Sequence, residues 1–175
     1  FDEMIRRHTQ SGAQITLGCQ PIAKNASLSA TTIVRRRGDR VTDVLVNTLP
    51  KAGMLQYMGV MVVEKQTLLD LIEDLCAHSQ FSITKDLVQG RCKQLDMRLY
   101  EISDCVKIDS LQNYYRLSMS MLKKEVRDRI FDHSRPVLTR VRDEVPVSYG
   151  EHAVVKNSLI ADGCIIEGSV ENCVL

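Results

Sequence analysis

The stretch D-C-V-K-I-D-S-L-Q-N-Y-Y-R-L-S-M-S-M-L, residues 104–122, decides how the chain is organised. Its first part, Cys105–Ile108, is predicted to be the end of a strand. Asp109 and Ser110 are N-cap residues, because their side-chain oxygens can accept the first free N–H groups of a helix. A strand followed by a capped helix places Lys107 at the edge of an α/β sheet, where ligands usually bind. The helix itself is predicted from an apolar stripe at i, i+3 and i+4 spacing, formed by Leu111, Tyr114, Tyr115, Ser118, Met119 and Leu122.

Strands and helices alternate upstream of this stretch, which is the pattern of an α/β domain. Gly59 interrupts one apolar strand and is either a β-bulge or a point where a ligand approaches the backbone. The second helix is amphipathic, with Leu68, Leu69, Leu71, Ile72 and Leu75 on its buried face. The predicted elements are a helix over Phe1–Gln10, a strand over Ala13–Cys19, a hairpin of Ala30–Arg37 and Arg40–Val46, a strand over Leu55–Val63, helices over Glu64–His78 and Phe81–Gly90, and a strand over Gln94–Ile102.

The sequence changes character after the helix that is predicted to end near Phe131. Residues 132–152 carry Pro136, Pro146 and Gly150 among mixed charges, which predicts an extended linker.

A six-residue periodicity begins after the linker, and Val170 and Val174 then continue the aliphatic stripe with a slipped spacing. Val154, Ile160 and Ile166 are six residues apart, a spacing typical of hexapeptide β-helices. An ordinary two-stranded hairpin is the alternative. Since each coil of a β-helix stacks on its neighbours, the apolar side chains are expected to face inward or into a neighbour. These are Leu159, Ile160, Ile165 and Ile166.

Composition excludes several classes of protein. The 175 residues are 44% apolar and 26% charged, an ordinary globular composition, and the formal charge of +1 gives no electrostatic case for nucleic acid or an anionic membrane. The basic cluster Arg35–Arg37 is interpreted as a solvated strand end rather than a binding patch. No apolar run reaches the roughly 20 residues that span a bilayer, and no signal peptide is visible at Phe1.

The cysteines and histidines form no recognisable metal motif. The six cysteines lack C-x-x-C spacing, and none of the four histidines pairs with a ligand at zinc-site spacing. Free thiols in a reducing cytoplasm are the expected state.

The α/β sheet, the extended linker and the hexapeptide repeat, in this order, resemble the sugar-1-phosphate nucleotidyltransferases, in particular the bacterial glucose-1-phosphate adenylyltransferases (ADP-glucose pyrophosphorylases). The segment R-V-R-D-E-V-P, residues 140–146, and the tail Tyr149–Leu175 are similar to the regulatory, D-type subunit of that enzyme. The resemblance implies the C-terminal part of a Rossmann-like nucleotidyltransferase domain at 1–131, the linker at 132–152, and the beginning of a left-handed parallel β-helix at 153–175. The glycine-rich N-terminal loop of the family is missing from this sequence.

Two sugar-phosphate motifs of the family are altered. Catalytic members end a strand in E-K-P, whose lysine holds the sugar phosphate, whereas the matching stretch V-L-V-N-T-L-P, Val44–Pro50, has Thr48 and no Glu-Lys pair. The family motif S-M-G, whose serine contacts the sugar phosphate, corresponds to Tyr57, Met58 and Gly59. The chain therefore keeps the Met-Gly remnant and loses the serine hydroxyl.

A third motif, W-x-D-V-G-T, supplies an aspartate that helps to hold Mg²⁺ in the family. The alignment places Lys107 at the aspartate and Asp109 at the glycine. An ammonium group can contact phosphate but cannot replace the hard carboxylate oxygens that hold this ion. A shift of one or two residues would bring Asp109 or Asp104 to the metal, but three motifs have changed together. The resemblance therefore implies no catalytic residue and no metal ligand in this chain.

The sequence predicts a non-catalytic regulatory subunit of bacterial glycogen biosynthesis that pairs with a catalytic homologue in the cytoplasm. The family resemblance implies a hetero- or homo-oligomer, a tetramer in known members, and no cofactor here, whereas catalytic members use Mg²⁺ and ATP. The alternative is an active nucleotidyltransferase with displaced carboxylates, transferring AMP from ATP to glucose 1-phosphate. A hexapeptide acyltransferase is more distant, because His152 precedes the repeats that would carry a catalytic histidine.

Overall fold

The chain divides into two compact units, Phe1–Cys105 (unit 1) and Val106–Leu175 (unit 2). The predicted boundary at residue 131 follows the domain organisation of the family and stays a prediction. The computed structural model describes residues 1–23, 29–103, 105–132, 134, 136–140 and 143–175.

Unit 1 contains the predicted helices, hairpin and strands, with shifts of a few residues at their ends. The strand predicted over Leu55–Val63 has those same bounds in the structure. Gly12, with φ of 63°, ends the first helix in the left-handed conformation that glycine adopts without strain. The elements are α1 (Asp2–Ser11), β1 (Ile15–Pro21), β2 (Thr31–Arg37), β3 (Arg40–Thr48), β4 (Leu55–Val63), α2 (Lys65–Ala77), a π-helix (Ile83–Gln89) and β5 (Met97–Glu101).

The five strands of unit 1 close into a barrel in the order β1-β4-β2-β3-β5. Strands β1 and β5 run parallel, and the other pairings are antiparallel. The mixed α/β class is thus confirmed, but the strands do not form an open Rossmann-like sheet. Gly38 turns β2 back into the antiparallel β3, β4 also pairs antiparallel with β1 and β2, and among the described strands only β1 and β5 keep the parallel pairing of a Rossmann-like sheet.

The core of unit 1 fills the barrel and the space under α2 and the π-helix. Its fully buried side chains include Ile15, Leu17 and Cys19 on β1. On α2, Leu75 is buried, whereas Leu69 and Ile72, which were predicted to be buried, are exposed. The prediction was wrong there because only one edge of the apolar stripe meets the barrel.

Unit 2 begins with an exposed segment rather than the predicted strand end at Cys105–Ile108. Val106 and Ile108 are exposed, and no strand forms there. The predicted cap is confirmed, because the Ser110 hydroxyl accepts a bond of 3.2 Å from the Asn113 amide. The elements that follow are α3 (Leu111–Ser120), α4 (Lys124–Ile130), β6 (Ser148–Tyr149), β7 (Val154–Lys156), β8 (Ile165–Ile166) and β9 (Ser169–Glu171).

The short strands of unit 2 stack in parallel. β6 pairs with β8 and β7 with β9, and Leu159 forms a parallel bridge with Val174. The hairpin alternative is therefore wrong, because a hairpin would pair antiparallel. Parallel stacking is what successive turns of a coil produce, but the left-handed hexapeptide geometry stays a proposal. β6 lies inside the segment that was predicted to be a linker.

The apolar residues of this stacked segment are only partly buried. Ile166 is 5% exposed and faces inward as predicted, and Leu159 and Ile160 are half-buried. Ile165 is 72% exposed and does not face inward within this chain, so the alternative that it packs into a neighbour stays a prediction. Adjacent residues of a strand point to opposite faces, so one packed layer cannot bury both Ile165 and Ile166.

None of the described helices combines the length and the apolar character that crossing a membrane requires.

Candidate functional site

Thr48 is the last residue of β3 and stands opposite Thr31, the first residue of β2. It is half-buried, and its hydroxyl lies 3.5 Å from the Val46 carbonyl oxygen. Asn47 precedes it with φ of 54°, a left-handed conformation that turns the chain out of the strand. Thr48, which the resemblance assigns to the altered E-K-P motif, thus lies at a strand end and has a short neutral side chain.

Tyr57 lies inside the barrel rather than at its surface. Its ring is 8% exposed, belongs to the core cluster, and stands opposite Cys19 on β1. Burial raises the pKa of the Tyr57 hydroxyl, and the neighbouring Cys19 adds to the increase. The buried, protonated phenol of Tyr57 is part of the packed core.

Met58 and Gly59 form a bulge in β4. Gly18 pairs with Val60 and Cys19 pairs with Tyr57, so the two residues between have no partner on β1. Gly59 has φ of 76°, and a Cβ added there would meet no atom within 4 Å. The bulge interpretation is therefore confirmed. The open space beside Gly59 is also what close approach of a ligand requires, so that interpretation stays a prediction.

Sequence reasoning missed two buried polar groups near this end of the sheet. Thr31 is 7% exposed, and its hydroxyl has no hydrogen-bond partner among the described residues. The same is true of the Gln20 side-chain oxygen, and Gln20 is the residue before the end of β1, opposite Gln56. Buried polar atoms normally have partners, so these two are candidates for contact with a ligand or with water. The only signal in the sequence is a polar residue at each strand end.

Cys19, in the core of unit 1, has a thiol that burial keeps protonated. Burial raises the pKa of the Cys19 thiol to about 12; the Arg36 guanidinium opposes the shift, and Glu101 adds to it. Arg36 forms an ion pair with Glu101, and Arg35 pairs with Asp43 at 3.7 Å. These pairs support the interpretation of Arg35–Arg37 as a strand end, since two of the three cations already have carboxylate partners.

The third motif lies in unit 2. Lys107 and Asp109 are both exposed. The Asp109 carboxylate accepts a bond of 2.7 Å from the Asn113 side-chain amide, one turn into α3. An acidic group at a helix N-terminus also interacts favourably with the helix dipole. Asp109 is thus part of the start of the helix. Asp104, the other carboxylate that a shifted alignment would bring to the metal, lies outside the described residues.

Among the described residues of the third motif, 105–110, Asp109 is the carboxylate that could face a Mg²⁺ ion. In the whole described part of the chain, no three His, Cys, Asp or Glu side chains lie together in a way that could hold a metal ion. Lys107 offers an ammonium group, and Asp109 already accepts from Asn113. Mg²⁺ beside nucleotide phosphates is usually held by one or two carboxylates together with the phosphates and water, so the absence of a metal ligand in this chain stays a prediction.

The apolar stripe of α3 is present as predicted but is uncovered. Leu111 is 83% exposed, and α3 has no buried residue. A groove of about 670 Å³ runs along it, and its lining carries no charged side chain. The groove is lined by Leu111, Gln112, Tyr114, Tyr115, Ser118, Met119 and Val174.

The chain is similar to proteins of glycogen metabolism. It is 36% identical over 123 residues to the "Glycogen biosynthesis protein GlgD" of Bacillus subtilis (strain 168), covering 69% of this chain and 35% of that protein. It is 33% identical over 176 residues to the GlgD protein of Geobacillus stearothermophilus, covering all of this chain and 41% of that protein. A "Glucose-1-phosphate adenylyltransferase" of Desulfitobacterium hafniense (strain Y51) is 27% identical over an alignment of 185 residues. The alignment covers all of this chain and 45% of that enzyme.

No family model matches the chain. The chain spans less than half the length of the curated relatives named above. The mixed α/β unit is consistent with an adenylyltransferase-family domain. The chain belongs to the glucose-1-phosphate adenylyltransferase (ADP-glucose pyrophosphorylase) family, in which it is similar to the proteins named GlgD.

Proposed function

We propose that this chain is part of a non-catalytic regulatory subunit of ADP-glucose pyrophosphorylase in bacterial glycogen biosynthesis. In this proposal the subunit associates with a catalytic homologue and modulates its activity. The observation that carries the proposal is Lys107, an exposed ammonium group at the motif position where catalytic members have a metal-holding aspartate.

The surroundings of the other motif positions support the same conclusion. Tyr57 packs into the core instead of offering a hydroxyl, and Thr48 provides no charge for a phosphate. Asp109, the nearest carboxylate, accepts from Asn113 at the start of α3. Transfer of AMP from ATP to glucose 1-phosphate needs charge neutralisation on the phosphates, and these positions do not supply it. The proposal therefore includes no cofactor for this chain.

The remaining parts of the proposal concern assembly and place. A regulatory subunit acts through its partner, so we propose a hetero- or homo-oligomer, a tetramer as the family resemblance implies, in the cytoplasm. Parallel stacking of Val154 on Ser169 and of Leu159 on Val174 supports the beginning of a left-handed β-helix. Coils of this kind need neighbours to bury their apolar side chains.

The test is pyrophosphate release from ATP and glucose 1-phosphate with Mg²⁺, using the full-length protein purified free of its catalytic homologue. We expect activity near background for the parent and for Lys107→Asp, because catalytic groups that act as a unit are not restored one at a time. Lys65→Asp, at an exposed lysine of α2, is the matched control for the change of charge.

A second measurement adds the catalytic homologue. We expect the parent and the Lys107→Asp variant to change its activity and to co-elute with it. Robust turnover by the unmixed parent would overturn the proposal in favour of the active nucleotidyltransferase, with Asp109 or Asp104 as metal ligand. A large gain from Lys107→Asp alone would show that the sugar-phosphate positions are intact, which contradicts the regulatory proposal as well.

A further inference from the structure

The barrel of unit 1 has one seam that is poorly closed by strand pairing. Among the described residues, β3 and β5 pair at a single register position, Arg40 opposite Arg98. One further bond, from the Leu99 amide to the Asp39 carbonyl at 2.7 Å, lies in the turn before β3. The rest of β3, which continues to Thr48, extends past the beginning of β5 and has no strand on that side.

The π-helix packs against β3 where the strand is missing. At its end, the Gln89 side-chain amide donates a bond of 2.9 Å to the Val44 carbonyl. The bond is partly buried and joins segments that are far apart in sequence. It therefore supplies a donor where a neighbouring strand would have supplied one.

The π-helix is fixed in place by hydrogen bonds at its start and by buried side chains. The Ser82 hydroxyl accepts from the Lys85 amide at 3.2 Å, and Asp86 accepts from the Ser82 amide at 2.8 Å, a reciprocal cap. Leu87 and Val88 are completely buried. A π-helix of this length is rare, and such segments frequently occur at functional sites.

We infer that Gln89 is a positioning residue that closes the barrel between β3 and β5 by binding the Val44 carbonyl. Val44 begins the stretch Val44–Pro50, which the resemblance matches to the family's E-K-P strand end and which includes Thr48. Without the Gln89 bond, the second half of β3 opens locally while the rest of the barrel stays folded. The link to Thr48 rests on the proposed function, but the closure itself does not.

The first test is hydrogen exchange on the Gln89→Met variant, which keeps the length of the side chain and removes its donor. A lost bond that leaves a carbonyl unsatisfied favours local opening. We expect exchange in residues 45–48 to accelerate roughly tenfold, with no change at Leu17 or Val60. Gln66→Met is the matched control, because it removes a glutamine donor to Asp70 on the exposed face of α2.

The second test uses the Gln89→Glu variant at two pH values. A carboxylate cannot donate a hydrogen bond, whereas a protonated carboxylic acid can. We expect protection of residues 45–48 to be lost at pH 7 and to recover at pH 4 in this variant, but not in Gln89→Met. Asp43, which accepts from the Val44 amide, and Asp86, which accepts from the Ser82 amide, are carboxylates on the two elements that the bond joins, so the parent is measured at both pH values as the reference.

Three outcomes would overturn the inference. These are unchanged exchange at 45–48 in Gln89→Met, an equal acceleration throughout the barrel, and no recovery of Gln89→Glu at acid pH. None of these readouts involves pyrophosphate release or the catalytic homologue. Failure of the closure and failure of the regulatory proposal are therefore distinguished by different measurements.

Discussion

Helices α2 and α3 have the same amphipathic pattern but different surroundings. In unit 1, α2 buries Leu75 against the barrel, whereas in unit 2, α3 buries none of its residues. The contrast extends to the whole units, since every buried apolar residue of the described chain apart from Ile166 lies in unit 1. An apolar stripe therefore specifies a helix, but whether the stripe is covered depends on what packs against it.

The two units are consequently stabilised by different interactions. Unit 1 has a core closed on all sides by strands, α2 and the π-helix. The bonds of unit 2 are mainly local or between stacked turns, such as Asn157 to Asn172 at 2.6 Å. Arg127 likewise donates to the Met121 and Leu122 carbonyls at the end of α3. Because burial of apolar area is the dominant stabilising contribution, we expect unit 1 to be much the more stable.

The largest effect that would test this contrast is a cavity in the core of unit 1. Leu17 is fully buried on β1, and Leu17→Ala is expected to lower the free energy of unfolding by about 3 kcal/mol. The measurement is urea unfolding of the parent and the variant. Leu69→Ala, on the exposed side of α2, should cost less than about 0.5 kcal/mol. Equal losses for the two variants would contradict the assignment of the core.

A smaller effect is expected at two adjacent isoleucines of unit 2. Ile166 is buried, and truncating it in Ile166→Ala should cost about 2 kcal/mol. Ile165 is exposed, and Ile165→Ala should change stability by less than about 0.5 kcal/mol. Hydrogen exchange of β8 and β9 reports the loss within unit 2. A cost that is larger at Ile165 would show that the stacked strands face the other way.

The smallest effect concerns alkaline pH and unit 1. Burial raises the pKa of the Cys19 thiol from its ordinary value of 9.0 to about 12. Because the pKa of the thiol is higher in the folded state, the stability contributed by the protonated thiol is complete below pH 9. It is lost as the pH rises through the interval from 9 to 12. At pH 10 the loss of unfolding free energy is expected to be about 1.4 kcal/mol.

The measurement is the free energy of unfolding at pH 8, 9 and 10 for the parent and for Cys19→Ala. Cys19→Ala should lose less stability than the parent between pH 8 and pH 10. The loss that the variant still shows includes the part due to Tyr57, whose pKa is also raised by burial. Cys76→Ala is the control, because Cys76 is exposed. A parent curve that is as flat as that of Cys19→Ala would mean that the thiol is solvated.

Local patterns in the sequence determined the elements and several of their ends. The Ser110 cap starts α3, Gly38 turns β2 into β3, and the apolar run Leu55–Val63 is β4 with the predicted bounds. These features depend on residues a few positions apart, because capping, turns and side-chain period are local. The altered motifs at Thr48, Tyr57 and Lys107 can likewise be found in the sequence alone.

Only the tertiary structure decided how these elements pair and which side chains they bury. The barrel, the placing of Tyr57 opposite Cys19 and the bond from Gln89 to Val44 join segments that are distant in the sequence. No local period specifies such partners, because strand register and coverage by another layer depend on the fit between distant surfaces. For the same reason the sequence did not predict that the Thr31 hydroxyl is buried without a partner among the described residues. That burial depends on β2 lying beside β3.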